Sequence, residues 1–222
     1  MENRLKEILS SIARDGSLSE EAVLAAKERQ KILAKPTGAL GRLEDISVQI
    51  AGITGKVKNE ITKKAIIIMS ADNGVVEEGV ASAPQSVTLS QTINFIRGLT
   101  GVSSIAKHFA IDLLVVDMGV KLPIPDSLYT DTPFEDGLLT KKILKRSIAR
   151  GTNNLAAGPA MTRDQALTAI LEGVACAQAV KICGYDILGV GEMGIGNTTT
   201  SSCVLAALTK SNASDVVGRG GG

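Results

Sequence analysis

Two apolar runs, KAIIIMSAD at 64–72 and IDLLVVDMGV at 111–120, constrain this chain most. Each is aliphatic on both alternating sets of positions, so each suits a strand covered on both faces, as inside a parallel sheet. Each closes on an aspartate with a glycine two residues later, Asp72 with Gly74 and Asp117 with Gly119. The surrounding core must also be aliphatic, because hydrophobic residues make up 44% of the chain, aromatics 2%, and Trp is absent. This predicts an α/β fold: a doubly wound, mostly parallel sheet with a small N-terminal helical domain.

The N-terminal helices are legible from spacing. Leu5, Ile8, Leu9 and Ile12 recur on one helical face. Ser19 followed by Glu20 and Glu21 opens a second helix to about Leu33, where Lys35-Pro36-Thr37-Gly38 stops it. Leu43, Ile46, Ile50 and Ile53 mark a third, ended by Gly55. Between the two strands, QTINFIRGL and GVSSIAKHF read as helices. Residues 121–142 read as loop, 143–149 as a short strand, and Thr162 with Gln165 as the capping box of a helix over 163–183. A further strand is expected at 185–190 and a helix from about 197.

Several function classes are disfavoured. A net charge of +1, without basic runs or stacking aromatics, gives no handle for nucleic acid. No stretch is long enough to span a bilayer, and the amphipathic N-terminus lacks the apolar core of a signal peptide. A cytoplasmic protein is expected. Cys176, Cys183 and Cys203 form no metal-binding spacing and are expected to be buried, reduced thiols. No metal and no cofactor is implied, and His108 is assigned packing alone.

The chemistry concentrates in GVGEMGIGNTTTSS at 189–202, between the apolar YDIL and the helix-like CVLAALT. GVGEMG fits the GxGxxG dinucleotide pattern, with Asp215 near the distance of a ribose-binding acid. Two details oppose that reading: Glu192 would repel a pyrophosphate, and Asp215 precedes its apolar pair instead of following it. Alternatively GIGNTTT binds a monophosphate: Gly194 and Gly196 let backbone approach an anion, while Asn197, Thr198 and Thr199 open a helix with free N–H groups. Spacing alone leaves this open against a plain strand-to-helix turn with a threonine cap. Glu192, at the C-terminal end of a parallel strand, stands where α/β sites form and could hold a ribose hydroxyl or stabilise positive charge on a sugar.

Six motifs in one order carry a resemblance: KPTGALGRLEDISVQIAGI (35–53), SADNGVVEEGVASAPQSVT (70–88), INFIRGLTGVSSIAK (93–107), VVDMGV (115–120), RGTNNLAAGPAMT (150–162) and GVGEMGIGNTTTSS. Together they resemble the nicotinate-nucleotide–dimethylbenzimidazole phosphoribosyltransferase family. The resemblance implies transfer of phosphoribose from nicotinate mononucleotide to 5,6-dimethylbenzimidazole or a related lower-ligand base. The products are α-ribazole 5′-phosphate, for cobalamin, and nicotinate. It implies a homodimer, with residues 1–60 in a small helical domain and 61–222 a Rossmann-like phosphoribosyltransferase domain. It also implies that Glu192 stabilises oxocarbenium character, that Gly194, Gly196, Asn197, Thr198 and Thr199 bind the phosphate, and that Ala83, Gln91 and Met193 line the base pocket, with Met193 on the same side as Glu192. Asn73 stands where the family usually has His, and Ala83 where serine is common. Members of the family continue past VVGRGGG and carry there the glutamate assigned as general base. The resemblance therefore implies a C-terminally short chain, inactive or impaired alone. The alternative is a non-catalytic nucleotide-binding subunit that needs a partner chain.

Overall fold

The computed structural model describes residues 1–220. The chain divides into two compact units, Met1–Ile61 and Thr62–Gly222. Gly221 and Gly222, which end the VVGRGGG stretch, lie outside the described residues.

The first unit is helical: α1 (Glu2–Asp15), α2 (Glu20–Ile32) and α3 (Arg42–Thr54). The Ser19 hydroxyl accepts the Ala22 N–H at 3.2 Å and starts α2. The α2–α3 contact is built from small residues, with Ala22, Ala26 and Ala51 buried. The helices approach so closely that a Cβ at Gly52 would stand 2.7 Å from Val23 Cγ2. Gly55 ends α3 in the left-handed region, its N–H returned to the Ala51 carbonyl.

The second unit runs β1 (Lys64–Ala71), α4 (Ser86–Arg97), α5 (Gly101–His108), β2 (Ile111–Gly119), β3 (Tyr129–Thr130), β4 (Phe134–Glu135), β5 (Leu138–Leu139), β6 (Ile143–Lys145), α6 (Arg163–Ile182), β7 (Ile187–Met193), α7 (Asn197–Thr209) and α8 (Ala213–Val216). The main sheet has the order β3-β6-β2-β1-β7, and all its pairings are parallel. A doubly wound α/β fold is therefore what the chain adopts. From β1 the chain steps outward to β2 and β6, and α6 then returns it to β7 on the other flank of β1. The order reverses at β1, so the crevice for a ligand lies beyond the C-terminal ends of β1 and β7.

Both faces of the sheet are covered at β1, β2 and β6, whereas Val190 of β7 is 83% exposed. On one, Ala65, Ile67, Leu114, Val116 and Leu144 pack with Cys176 and Val180 of α6. On the other, Val115 and Ile143 pack with Leu89, Ile93 and Ile96 of α4. The Thr162–Gln165 capping box forms at the start of α6.

Four expectations need correction. Residues 121–142 hold more than loop: β3 extends the main sheet, and β4 with β5 forms an antiparallel pair. The strand expected over 143–149 stops at Lys145. The strand expected over 185–190 instead reaches Met193, because Gly189 and Gly191 pair with Ile66 and Ile68 of β1 and continue the ladder. Cys176 is buried, but Cys203 is exposed on α7. No residue of α7 is fully buried.

Candidate active site

The extension of β7 changes what its glycines do. Gly189 and Gly191 lie inside the strand, so GVGEMG is not a pyrophosphate-binding turn. Only Gly194–Gly196 connects β7 to α7. Asp215 sits in α8, not at the end of a second strand. The dinucleotide reading therefore lacks both of its structural supports.

Glu192 is the penultimate residue of β7, level with Met69 of β1. Its side chain is exposed, and its Oε1 accepts a 2.5 Å hydrogen bond from the Asn197 amide at the first turn of α7. Partial desolvation raises the carboxyl above the ordinary glutamate range, and the Asn197 bond partly offsets this. Met193 follows Glu192 in an extended strand, and successive side chains point to opposite faces. Met193 is therefore on the far face of the sheet from Glu192, not on the same side.

The turn itself is held against the loop after β1. A Cβ at Gly194 would fall 2.1 Å from the Ala71 carbonyl oxygen, and one at Gly196 would fall 2.8 Å from Val76 Cγ2. Gly196 is also left-handed, with φ 84°. These glycines make room for the protein's own chain. Ile195 is tied at both ends: its N–H donates to Thr88 Oγ1 at 3.1 Å and its carbonyl accepts from Asn73 Nδ2 at 3.2 Å. Asn73 also accepts from Thr200 Oγ1 through its Oδ1 and from Gln85 through its carbonyl. One asparagine thus joins β1, α4, the turn and α7.

Gly196 is the N-cap of α7 and supplies no capping side chain. A threonine cap, the plainer reading of this turn, is therefore absent. The N–H of Asn197 bonds the Gly194 carbonyl and that of Thr200 the Gly196 carbonyl. Helix geometry leaves the N–H groups of Thr198 and Thr199 without intrahelical acceptors, at the positive end of a 13-residue helix. Beside them is a cavity of about 70 Å³, shared by Ala81, Ser82, Ala83, Gly196, Asn197 and Thr198. Ser202 Oγ bonds the Val216 carbonyl, and a Cβ at Gly220 would stand 2.5 Å from Thr198 Oγ1. Gly220 thus lies at the start of α7.

A phosphoribosyltransferase family model matches residues 16–222. The chain belongs to this family. It is 49% identical over 218 residues to a nicotinate-nucleotide–dimethylbenzimidazole phosphoribosyltransferase of Clostridium perfringens, covering 98% of this chain and 56% of the relative. A relative of the same name from Acetivibrio thermocellus is 47% identical over 207 residues, covering 93% of this chain and 55% of the relative. Among solved structures, the crystal structure of CobT from Thermus thermophilus matches with a TM-score of 0.82 and 38% identity, over 91% of this chain and 57% of that one. The chain spans about half the length of these relatives.

The candidate residues fall into two groups. Glu192, Gly194, Gly196, Asn197, Thr198, Thr199 and Ala83 gather around the β7–α7 junction. Gln91 is half-buried on α4 and does not line the small cavity, and Met193 faces away from Glu192. The residues that sequence reasoning missed are Asn73, treated there only as a departure from His, and Thr88. Their signal was the SADNG and PQSVT segments next to each other in one motif, but the partner turn lies more than 100 residues away.

Buried carboxylates frame the same crevice. Asp117 is fully occupied, accepting from the Gly119 and Val120 N–H groups and from the Tyr129 hydroxyl at 2.5 Å. Burial and this aspartate push the Tyr129 phenol well above its usual range. Asp72 accepts the Lys121 N–H through Oδ2, and its buried Oδ1 has no hydrogen-bond partner among the described residues.

Proposed function

We propose that this chain carries the phosphoribosyl-transfer site of its family, moving phosphoribose from nicotinate mononucleotide to 5,6-dimethylbenzimidazole or a related base. The observation that carries this is the Glu192–Asn197 pair: a carboxylate at the end of a parallel strand, bonded to the first residue of a helix whose next N–H groups have no intrahelical acceptor. The substrate phosphate sits on the Thr198 and Thr199 N–H groups and hydroxyls, where the helix end favours an anion. The ribose then lies over Glu192. As the bond from C1′ to the pyridinium nitrogen breaks, its electron pair goes to that nitrogen. Nicotinate therefore leaves with a neutral ring and needs no acid. The sugar gains positive charge, which the Glu192 carboxylate stabilises. The lone pair of the incoming ring nitrogen forms the new bond, inverting C1′, and its N–H proton passes to a base.

In this reading residues 1–60 belong to a small helical domain and residues 61–222 to a Rossmann-like phosphoribosyltransferase domain. The enzyme works as a homodimer in the cytoplasm. Ala83 lines the cavity beside α7, so a polar contact that serine would make to the base is missing there. Calorimetric titration with nicotinate mononucleotide, followed by addition of 5,6-dimethylbenzimidazole and chromatography, tests the proposal. Saturable binding of nicotinate mononucleotide is the expected result, and α-ribazole 5′-phosphate with nicotinate after addition of the ring base shows that a proton acceptor is in place. Binding without products favours a nucleotide-binding subunit, and no binding contradicts both.

A further inference from the structure

Helix α7 has little packing to hold it in place. Helix α6 buries Leu167, Cys176 and Val180, whereas none of the 13 residues of α7 is buried. Tertiary packing of an apolar face is what usually fixes a helix in a fold. Ser202 of α7 bonds the Val216 carbonyl, which ties the helix to α8 and not to the sheet. The side-chain hydrogen bonds that join its start to the sheet and to α4 are those of Glu192, Thr88 and Asn73.

Asn73 is the centre of this joint. It stands two residues beyond the end of β1, and its backbone carbonyl accepts from Gln85 Nε2 at 3.2 Å and from the Val76 N–H at 3.3 Å. Its side-chain amide donates and accepts at once, as only a few side chains can. Nδ2 donates to the Ile195 carbonyl at 3.2 Å, and Oδ1 accepts from Thr200 Oγ1 at 3.0 Å. The amide occupies the space that the turn glycines leave: a Cβ at Gly194 would stand 2.8 Å from Asn73 Nδ2, and one at Gly196 3.6 Å from Asn73 Cβ. Thr88, fully buried on α4, holds the N–H of the same Ile195. The turn is thus fixed through Ile195, and the helix through Thr200, which directly follows Thr198 and Thr199.

We infer that Asn73, with Thr88 beside it, is a positioning residue of the anion site at the start of α7. It acts through Ile195 and Thr200 and not on substrate itself. It sets where the Thr198 and Thr199 N–H groups point, and it keeps Asn197 within reach of Glu192. The identity of the anion as the substrate phosphate rests on the phosphoribosyl-transfer reading. Misplacement of a binding group by about 1 Å is enough to cost on the order of 10²-fold in such a site.

The test is calorimetry on the full chain with nicotinate mononucleotide and with nicotinate riboside, which differ only in the phosphate. Thr200→Val removes the bond between α7 and Asn73 while keeping a β-branched side chain of similar helix propensity. Thr200→Ser keeps the hydroxyl, and Asn73→Ala removes both amide bonds. Urea unfolding reports the folded fraction of each, and the two Thr200 variants decide the matter where Asn73→Ala does not fold. The expected result is mononucleotide binding at least about fivefold weaker in Thr200→Val, weaker still in Asn73→Ala, and restored in Thr200→Ser. Nicotinate riboside should bind every form equally weakly, because only the phosphate contacts are displaced. A general loosening of the fold would instead weaken both probes in parallel. Unchanged mononucleotide binding in Thr200→Val, a loss shared by Thr200→Ser, or a parallel loss of the riboside overturns the inference alone. An unmodified chain that binds the two probes equally rejects the transfer reading, and the inference with it.

Discussion

The two halves of GVGEMGIGN use glycine for different ends. In the strand half, Gly189 and Gly191 pair regularly with β1, and a Cβ at Gly191 would meet nothing closer than the Ile67 carbonyl oxygen at 3.9 Å. In the turn half, Gly194 and Gly196 are pressed against Ala71 and Val76. The first half is a strand that happens to be glycine-rich. The second is a turn that exists only because it has no side chains. The turn seats the start of α7 against the loop after β1, and that seat brings Asn197 to Glu192. A motif read as one phosphate loop is thus a strand end, a packing joint and a helix start in succession.

Substitution separates the halves. Gly194→Ala should be the most damaging change, because its Cβ would fall 2.1 Å from a backbone oxygen that cannot swing away. A loss on the order of 3 kcal/mol in urea unfolding is expected, at the upper end of overpacking costs. Gly196→Ala combines the close Val76 contact with left-handed strain and should cost about 1–3 kcal/mol. Gly191→Ala should change stability by less than about 1 kcal/mol. Equal losses at 191 and 194 would erase the distinction drawn between the halves.

Function should divide the other way. Glu192→Gln leaves an exposed side chain of the same shape, so stability should move by no more than about 0.5 kcal/mol. Turnover should fall by roughly 10²-fold or more, as when a transition-state electrostatic partner is removed. A full-rate Gln variant would remove Glu192 from the chemistry.

The smallest expected effect is a shift with pH. The folded carboxyl of Glu192 is raised, so its charged form is lost at a higher pH than for an ordinary glutamate as pH falls. Turnover that needs the carboxylate should decline through that range. The same raised value acts oppositely on folding: its contribution is present below the unfolded pKa and lost as pH rises through the folded one. Asn197→Ala removes the bond that lowers the pKa, so the acid limb of a pH–rate profile should move further up. An unmoved limb would mean another group controls it.

Much of this was legible in the chain because it depends on local pattern. The doubly apolar β1 and β2, the Thr162–Gln165 capping box and the glycine end of α3 each follow from a few adjacent residues. The importance of Glu192 and the start of α7 followed from their place after an apolar stretch. The end of β7 was not legible, since glycine-rich strands and loops share a composition and only pairing with β1 distinguishes them. The assignment of Met193 failed for the same reason: in a loop it could share a side with Glu192, in a strand it cannot. The Asn73 junction depends on contacts between segments far apart in sequence, which no local pattern reports.

The central claim is that the start of α7 receives the phosphate with Glu192 at the sugar. The most direct measurement is backbone amide NMR of the labelled chain during titration with nicotinate mononucleotide. The account predicts that the largest saturable shifts fall on the Thr198 and Thr199 amides, with Glu192 and Asn197 next. Shifts centred elsewhere, with those four unmoved, would contradict it.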